Sequence, residues 1–236
     1  MKGRRSIQYD RGARAFGPLL LFVAVAVFSG IAPAAATPTN ESIRGKASFD
    51  GGEYGEAERH YVRAIDEFGT QRNEGYLDAV TALGTCYYFA GDFPQAAILY
   101  KQSIELDEQL HGKDSLRVAD DLLNLTRALR RQNLWDEAEP VMQRTLDIRR
   151  RVLGEDNKLV AMSWMDLAVN YQRQHKFAES ESAFLETIAI RDRLADGGQM
   201  ATAYCLYAKL LNDMNRPDEA LRYRQRAAEI NPKFEF

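Results

Sequence analysis

Apolar residues recur along this chain at spacings of three and four, and the pattern stops and restarts about every forty residues. In four successive stretches one i, i+3, i+4, i+7 set is apolar or small: Val80, Leu83, Gly84 and Tyr87; Leu122, Leu125, Thr126 and Leu129; Trp164, Leu167, Ala168 and Tyr171; Tyr204, Tyr207, Ala208 and Leu211. That spacing is one face of an α-helix. The third member is always small, and Gly45 holds the matching place in a weaker opening stretch. A small residue there predicts the close approach of a second helix. Short phrases mark where that second helix starts: Tyr54-Gly-Glu-Ala57, Phe93-Pro-Gln-Ala96, Trp135-Asp-Glu-Ala138, Phe177-Ala-Glu-Ser180 and Pro217-Asp-Glu-Ala220. Their last residues lie 39, 42, 42 and 40 apart. A fixed period in that range means that each unit is one supersecondary element unable to bury its apolar face alone. Stacked neighbours bury a shared core and leave a long groove. The expected fold is all-α, a right-handed α-solenoid of about five helix–turn–helix repeats over residues 39–72, 75–114, 116–156, 158–198 and 199–232.

The small residue, an Ala twelve positions later and an aromatic four beyond it (Tyr61, Tyr100 and Phe184, with Met142 filling in) resemble the tetratricopeptide repeat (TPR) family. The resemblance covers nearly all of residues 37–236. Longer connectors, Leu110-His-Gly-Lys-Asp-Ser115 and Leu153-Gly-Glu-Asp-Asn157, stretch the period to 42. With Leu122-Leu-Asn124-Leu and Trp135-Asp-Glu-Ala-Glu139 they resemble the kinesin-light-chain type of repeat, as an architectural subtype and not as a motor function. Both ends read as caps. The first helix stops at Gly51-Gly52, and glycine costs about 1 kcal/mol inside a helix. The last unit puts Arg224 at the aromatic place and Pro217 at the head of its phrase, with Pro232 as a stop and Phe234 and Phe236 beyond.

The chain begins differently. Lys2, Arg4, Arg5, Arg11 and Arg14 precede an apolar run from Leu19 to Phe28, and Ala34-Ala35-Ala36 follows. A basic region, a short apolar run and small residues together read as a secretory signal peptide over residues 1–36, cleaved after Ala36. The alternative is an uncleaved membrane anchor, but the run is shorter than the ~20 residues a spanning helix needs. Export to a periplasm or to the medium is therefore expected. Removing residues 1–36 moves the formal net charge from −3 to −7, by loss of five basic residues and one acidic one. That balance disfavours nucleic acid and anionic membrane as partners. Cys86 and Cys205 fall in different repeats, too far apart in a stack for a disulfide.

The stripe of each first helix opposite its core face lies about 180° away and lines the groove. Asn124, Arg127 and Arg130 take these or flanking places in the third unit, Met162, Met165, Val169 and Arg173 in the fourth, and Lys209 in the fifth. Apolar side chains beside arginines suit a peptide with one bulky residue and nearby carboxylates. Packing of the apolar three against a neighbouring unit, and pairing of the arginines with Asp120 and Asp166, are the plainer alternatives. The family resemblance implies peptide binding in the groove, with Asn124 placed to bond ligand backbone. Ala82, Asp166 and Leu206 at its place in other units rule out a multi-asparagine clamp. Arg149-Arg150-Arg151 reads as a solvated helix end, where cations complement the dipole.

His60, His111 and His175 have no paired spacing, so no metal is expected. No Gly-rich phosphate loop, His-Glu-x-x-His or Gly-x-Ser-x-Gly occurs, so no cofactor and no enzymatic activity are expected. Asn40-Glu-Ser42 and Asn124-Leu-Thr126 match the glycosylation sequon, but the second places Thr126 against a partner helix. The expected function is a non-catalytic exported scaffold that binds a peptide or tail of another protein, an apolar and acidic segment. Self-association of the solenoid through its terminal faces, as a homo-oligomeric assembly subunit, is the second reading.

Overall fold

The computed structural model describes residues 38–231, so the leader, Pro232, Phe234 and Phe236 lie outside the described residues. Ten helices follow one another: α1 (Asn40–Asp50), α2 (Tyr54–Phe68), α3 (Glu74–Ala90), α4 (Phe93–His111), α5 (Leu116–Arg131), α6 (Trp135–Leu153), α7 (Lys158–Arg173), α8 (Phe177–Arg193), α9 (Gly197–Asp213) and α10 (Pro217–Ile230). No strand occurs among the described residues. Each helix packs on the next along the chain, and α7 also meets α9. The result is the all-α solenoid that the forty-residue period predicts. None of these helices is long and apolar enough to cross a membrane.

The small residue of each first helix sits where the second helix presses closest. A Cβ added to Gly84 would lie 3.0 Å from the Tyr100 ring, and one added to Gly45 the same distance from Tyr61. Ala168 is fully buried, and Ser180 Oγ donates to its carbonyl at 2.7 Å. The turn inside each unit needs one left-handed residue. Gly52, Gly91, Asn133, His175 and Asn215 supply it, with φ of 78°, 88°, 59°, 60° and 59°. Glycine and asparagine tolerate this region best. Side-chain caps start the first helices of units two to four: Asn73, Ser115 and Asn157 accept from the backbone N–H of Tyr76, Val118 and Leu159. Such caps contribute about 1 kcal/mol each.

Successive units are also stitched along the edge formed by these turns. Phe89 stacks on Tyr54 at 5.5 Å, the Arg131 guanidinium lies 4.9 Å from the Phe93 ring centre, and that of Arg173 lies 5.7 Å from Trp135. In each case the end of one first helix covers the aromatic that opens the preceding second helix. The buried core divides into three clusters strung along the chain, one in α2–α3, one in α4–α8 and one in α7–α10. Cys86 is buried, Cys205 half-buried, and both are free thiols.

Candidate functional site

The stripe opposite the core face of α3 and α5 opens on a pocket of about 350 Å³. Asp78, Thr81 and Thr85 of α3, Arg117, Asp120 and Asp121 of α5, and Asp107 of α4 line it. Arg117 gathers the carboxylates: its Nη2 lies 3.1 Å from Glu74 and 3.5 Å from Asp78, and its Nε lies 3.6 Å from Asp107. His111 bridges Glu74 and Asp107. Asp121 is buried and accepts from Ser103 Oγ at 2.5 Å, and Ser103 in turn meets Thr81 Oγ1 at 2.6 Å. Burial pushes the Asp121 carboxyl up to about 6, against the pull of the Ser103 hydrogen bond. No three His, Cys, Asp or Glu among the described residues are grouped to hold a metal ion.

Further along the chain, the same helix stripe changes sign. Arg127 is exposed and donates from Nη1 to Asn124 Oδ1 at 3.2 Å, one turn away on the same helix. Arg130 reaches from α5 to α7, its Nη1 3.2 Å from Asp166 Oδ1. Burial raises the Asp166 carboxyl above its ordinary value, and Arg130 opposes that rise. Arg130 and Arg173 both lie over the Trp135 ring, at 5.9 and 5.7 Å. Lys209 is exposed on α9. Of the three apolar residues, Met165 and Val169 are half-buried and pack against the α7–α10 core, whereas Met162 remains 42 % exposed. The structure thus brings Arg130 and Arg173 together on Trp135, leaves Arg127 and Lys209 projecting, and turns two of the apolar three inward.

One element of the groove is not visible from the first helices alone. Three successive second helices, α4, α6 and α8, contribute a charged residue at the same place, Asp107, Arg149 and Arg191, spaced 42 apart. All three are buried. Arg149 is therefore not part of a solvated helix end. Its Nη1 donates to Ser163 Oγ at 3.0 Å and to the Leu159 carbonyl at 3.3 Å, and its Nη2 donates to Asp120 at 3.4 Å. Asp120 accordingly pairs with Arg149 and not with its helix neighbours. Arg150 and Arg151 do stay at the surface side, paired with Glu155 and Asp114 at 2.7 Å each. The recurrence of a charged residue every 42 positions was the available signal. Its meaning depends on which helices flank it in space.

A family model described as tetratricopeptide repeat matches residues 76–151, 122–192 and 159–233. No curated protein matches the chain in sequence. Among solved structures, BtubC (BKLC) from P. vanneervenii has 18% sequence identity and a TM-score of 0.71, over 83% of this chain and 81% of that one. A P. anserina kinesin light chain protein with nearly identical TPR-like repeats has 16% identity and a TM-score of 0.72, over 82% of this chain and 94% of that one. The apo form of RapI has 13% identity and a TM-score of 0.74, covering 83% of this chain and 54% of that one. At these identities the likeness is one of fold.

Proposed function

The chain belongs to the tetratricopeptide repeat family, and from that premise we propose that it is a non-catalytic scaffold gripping a peptide or tail segment of a partner protein in its groove. The observation that carries this reading is the division of the groove stripe into two sectors. One is the acidic pocket around Arg117, and the other is the run of Arg127, Met162 and Lys209 that projects without holding neighbouring helices together. A segment with carboxylates beside an apolar residue suits the second sector, since arginine selects charge and methionine accepts varied apolar shapes. Arg127→Glu combined with Lys209→Glu leaves Arg130, Arg173 and their helix-bridging contacts in place. Partner capture from extracts should fall by about tenfold or more while circular dichroism and the melting temperature stay unchanged. Undiminished capture by a folded variant would remove the groove from the reading. The leader pattern supports export, and mass analysis of the protein from its source should show a chain beginning at Thr37.

Self-association is the second reading, and apolar residues at the two ends favour it. Ile43 on α1 and Leu221 and Ile230 on α10 are 55 %, 55 % and 41 % exposed. Light scattering of residues 37–236 separates the two readings, because a groove scaffold is monomeric until its ligand is added.

A further inference from the structure

The place held by Asp107, Arg149 and Arg191 lies at three successive junctions between units, and each junction treats it differently. At the first, Asp107 faces Arg117 and His111. At the second, the Arg149 guanidinium is shared between Asp120 on α5 and Ser163 and the Leu159 carbonyl on α7. At the third, Arg191 is 1 % exposed and its Nη1 meets Asp196 at 3.0 Å, but its Nε and Nη2 have no hydrogen-bond partner. The sequence supplies the reason. The place of Asp120 is taken by Met162 in the next unit, and the place of Ser163 by Ala203. Arg149 leaves only its Nε unpartnered, whereas at Arg191, where apolar side chains stand in place of both acceptors, Nη2 loses its partner as well and the whole Nε–Nη2 edge is left open.

The two orphaned atoms are a matched pair. Nε–H and Nη2–H form one edge of the guanidinium, with parallel donors at the spacing of a carboxylate's two oxygens. Leaving such an edge buried and unpaired is costly. Burial also lowers the Arg191 pKa from its ordinary value, with Asp196 acting in the opposite direction. By the repeat, Met162 stands to Arg191 as Asp120 stands to Arg149. Met162 is partly exposed in the groove stripe, and an unbranched thioether side chain repacks readily.

We propose that the junction of α7, α8 and α9 at Arg191 is a carboxylate-binding subsite of the groove, which takes the side chain of an aspartate or glutamate in the bound segment. This rests on the groove reading above and names its anchor. The occupant is a side-chain carboxylate because the neighbouring junction already holds one, that of Asp120, at the equivalent place. The incoming carboxylate displaces the Met162 side chain and pairs with the Nε–Nη2 edge, while Asp196 keeps Nη1. Met165 and Val169, one and two turns along α7, supply an apolar wall for the flanking residue of the segment.

The test uses the full chain and an octapeptide of alternating Leu and Glu, fluorescein-labelled at its N-terminus and amidated at its C-terminus, alongside its Leu–Gln counterpart. Fluorescence anisotropy should show the Glu peptide binding about tenfold tighter than the Gln peptide. Met162→Asp supplies the missing carboxylate in cis. It should bring the two peptides within about twofold of each other and raise the melting temperature by about 2–4 °C. Net charge alone would make an added anion on this acidic chain unfavourable. Met162→Leu should keep the preference for Glu. Retention of that preference by the Asp variant would overturn the subsite. Equal binding of both peptides by the unmodified chain would overturn the subsite and spare the groove, whereas binding of neither would count against the groove and take the subsite with it. A Gln peptide with a free C-terminus that matched the Glu peptide would overturn the assignment to a side chain.

Discussion

Asp121 carries a charge that folding makes unfavourable. Its carboxyl is buried beside Asp107 and Asp120, and its pKa rises to about 6 in the folded chain. The unfolded chain holds that proton less tightly, with a pKa near 3.9. The stabilising contribution of the protonated form is therefore complete below about pH 4 and is lost as the pH climbs to about 6, with no further change above. Asp121→Asn keeps an acceptor for Ser103 and removes the charge. It should stabilise the chain by about 1–2 kcal/mol at pH 7. Thermal melts at pH 4.5 and pH 7 check the sign, because the gain should shrink at the lower pH. A second residue is strained in its backbone. The connectors after α2, α4 and α6 place Gly69, Gly112 and Gly154 at positive φ, but the one after α8 places Ala195 there, at φ 50°. Alanine in that region costs roughly 1–2 kcal/mol, and the unfolded chain's gain in freedom when glycine replaces it offsets part of the relief. Ala195→Gly should raise the melting temperature by about 2–4 °C.

At the scale of the helix, periodicity decided most of what could be read in advance. Leu83, Leu125, Leu167 and Tyr207 are all buried, as the i, i+3, i+4, i+7 pattern requires, because the core face of a first helix is set by its own residues. The small member of the set follows the same logic, and it yields a sharp expectation. Ala168→Leu pushes a branched side chain into the space of α8, where Ser180 sits 2.7 Å from the Ala168 carbonyl. Overpacking of that kind should destabilise by about 1–3 kcal/mol, read as a lower midpoint in urea with an unchanged slope. The groove was less legible for a physical reason. Whether Met165 lies in solvent or against α9, and whether Arg149 is solvated or sealed, depends on helices contributed by another unit. The turn-edge contacts make the same point. Nothing local to Arg173 says that its guanidinium will cover Trp135, almost forty residues earlier, and an arginine so engaged cannot also reach into the groove at no cost.

For the whole molecule, the division of the core into three clusters sets how stability is distributed. Helices meet their sequence neighbours, and the α2–α3 cluster shares no buried residue with the α7–α10 cluster. Stability in such a chain is approximately a sum over units and their interfaces. Removing an end unit should therefore delete one share of the structure and leave the rest folded, whereas a compact domain loses everything at once. Truncation after Leu194 takes away α9 and α10 and exposes Phe184, whose ring centre lies 5.9 Å from that of Tyr207 on α9. The remaining helices should still unfold cooperatively, with a smaller urea slope in proportion to the surface no longer buried and a lower midpoint. The same truncation removes the α9 wall next to Arg191 and the Asp196 carboxylate that neutralises it, but leaves the acidic pocket between α3 and α5 intact. Binding of the Leu–Glu peptide should disappear in a protein whose circular dichroism remains helical. Loss of all helical signal on truncation would show instead that the units do not stand as separable layers, and would undo the view of the groove as a row of independently built junctions.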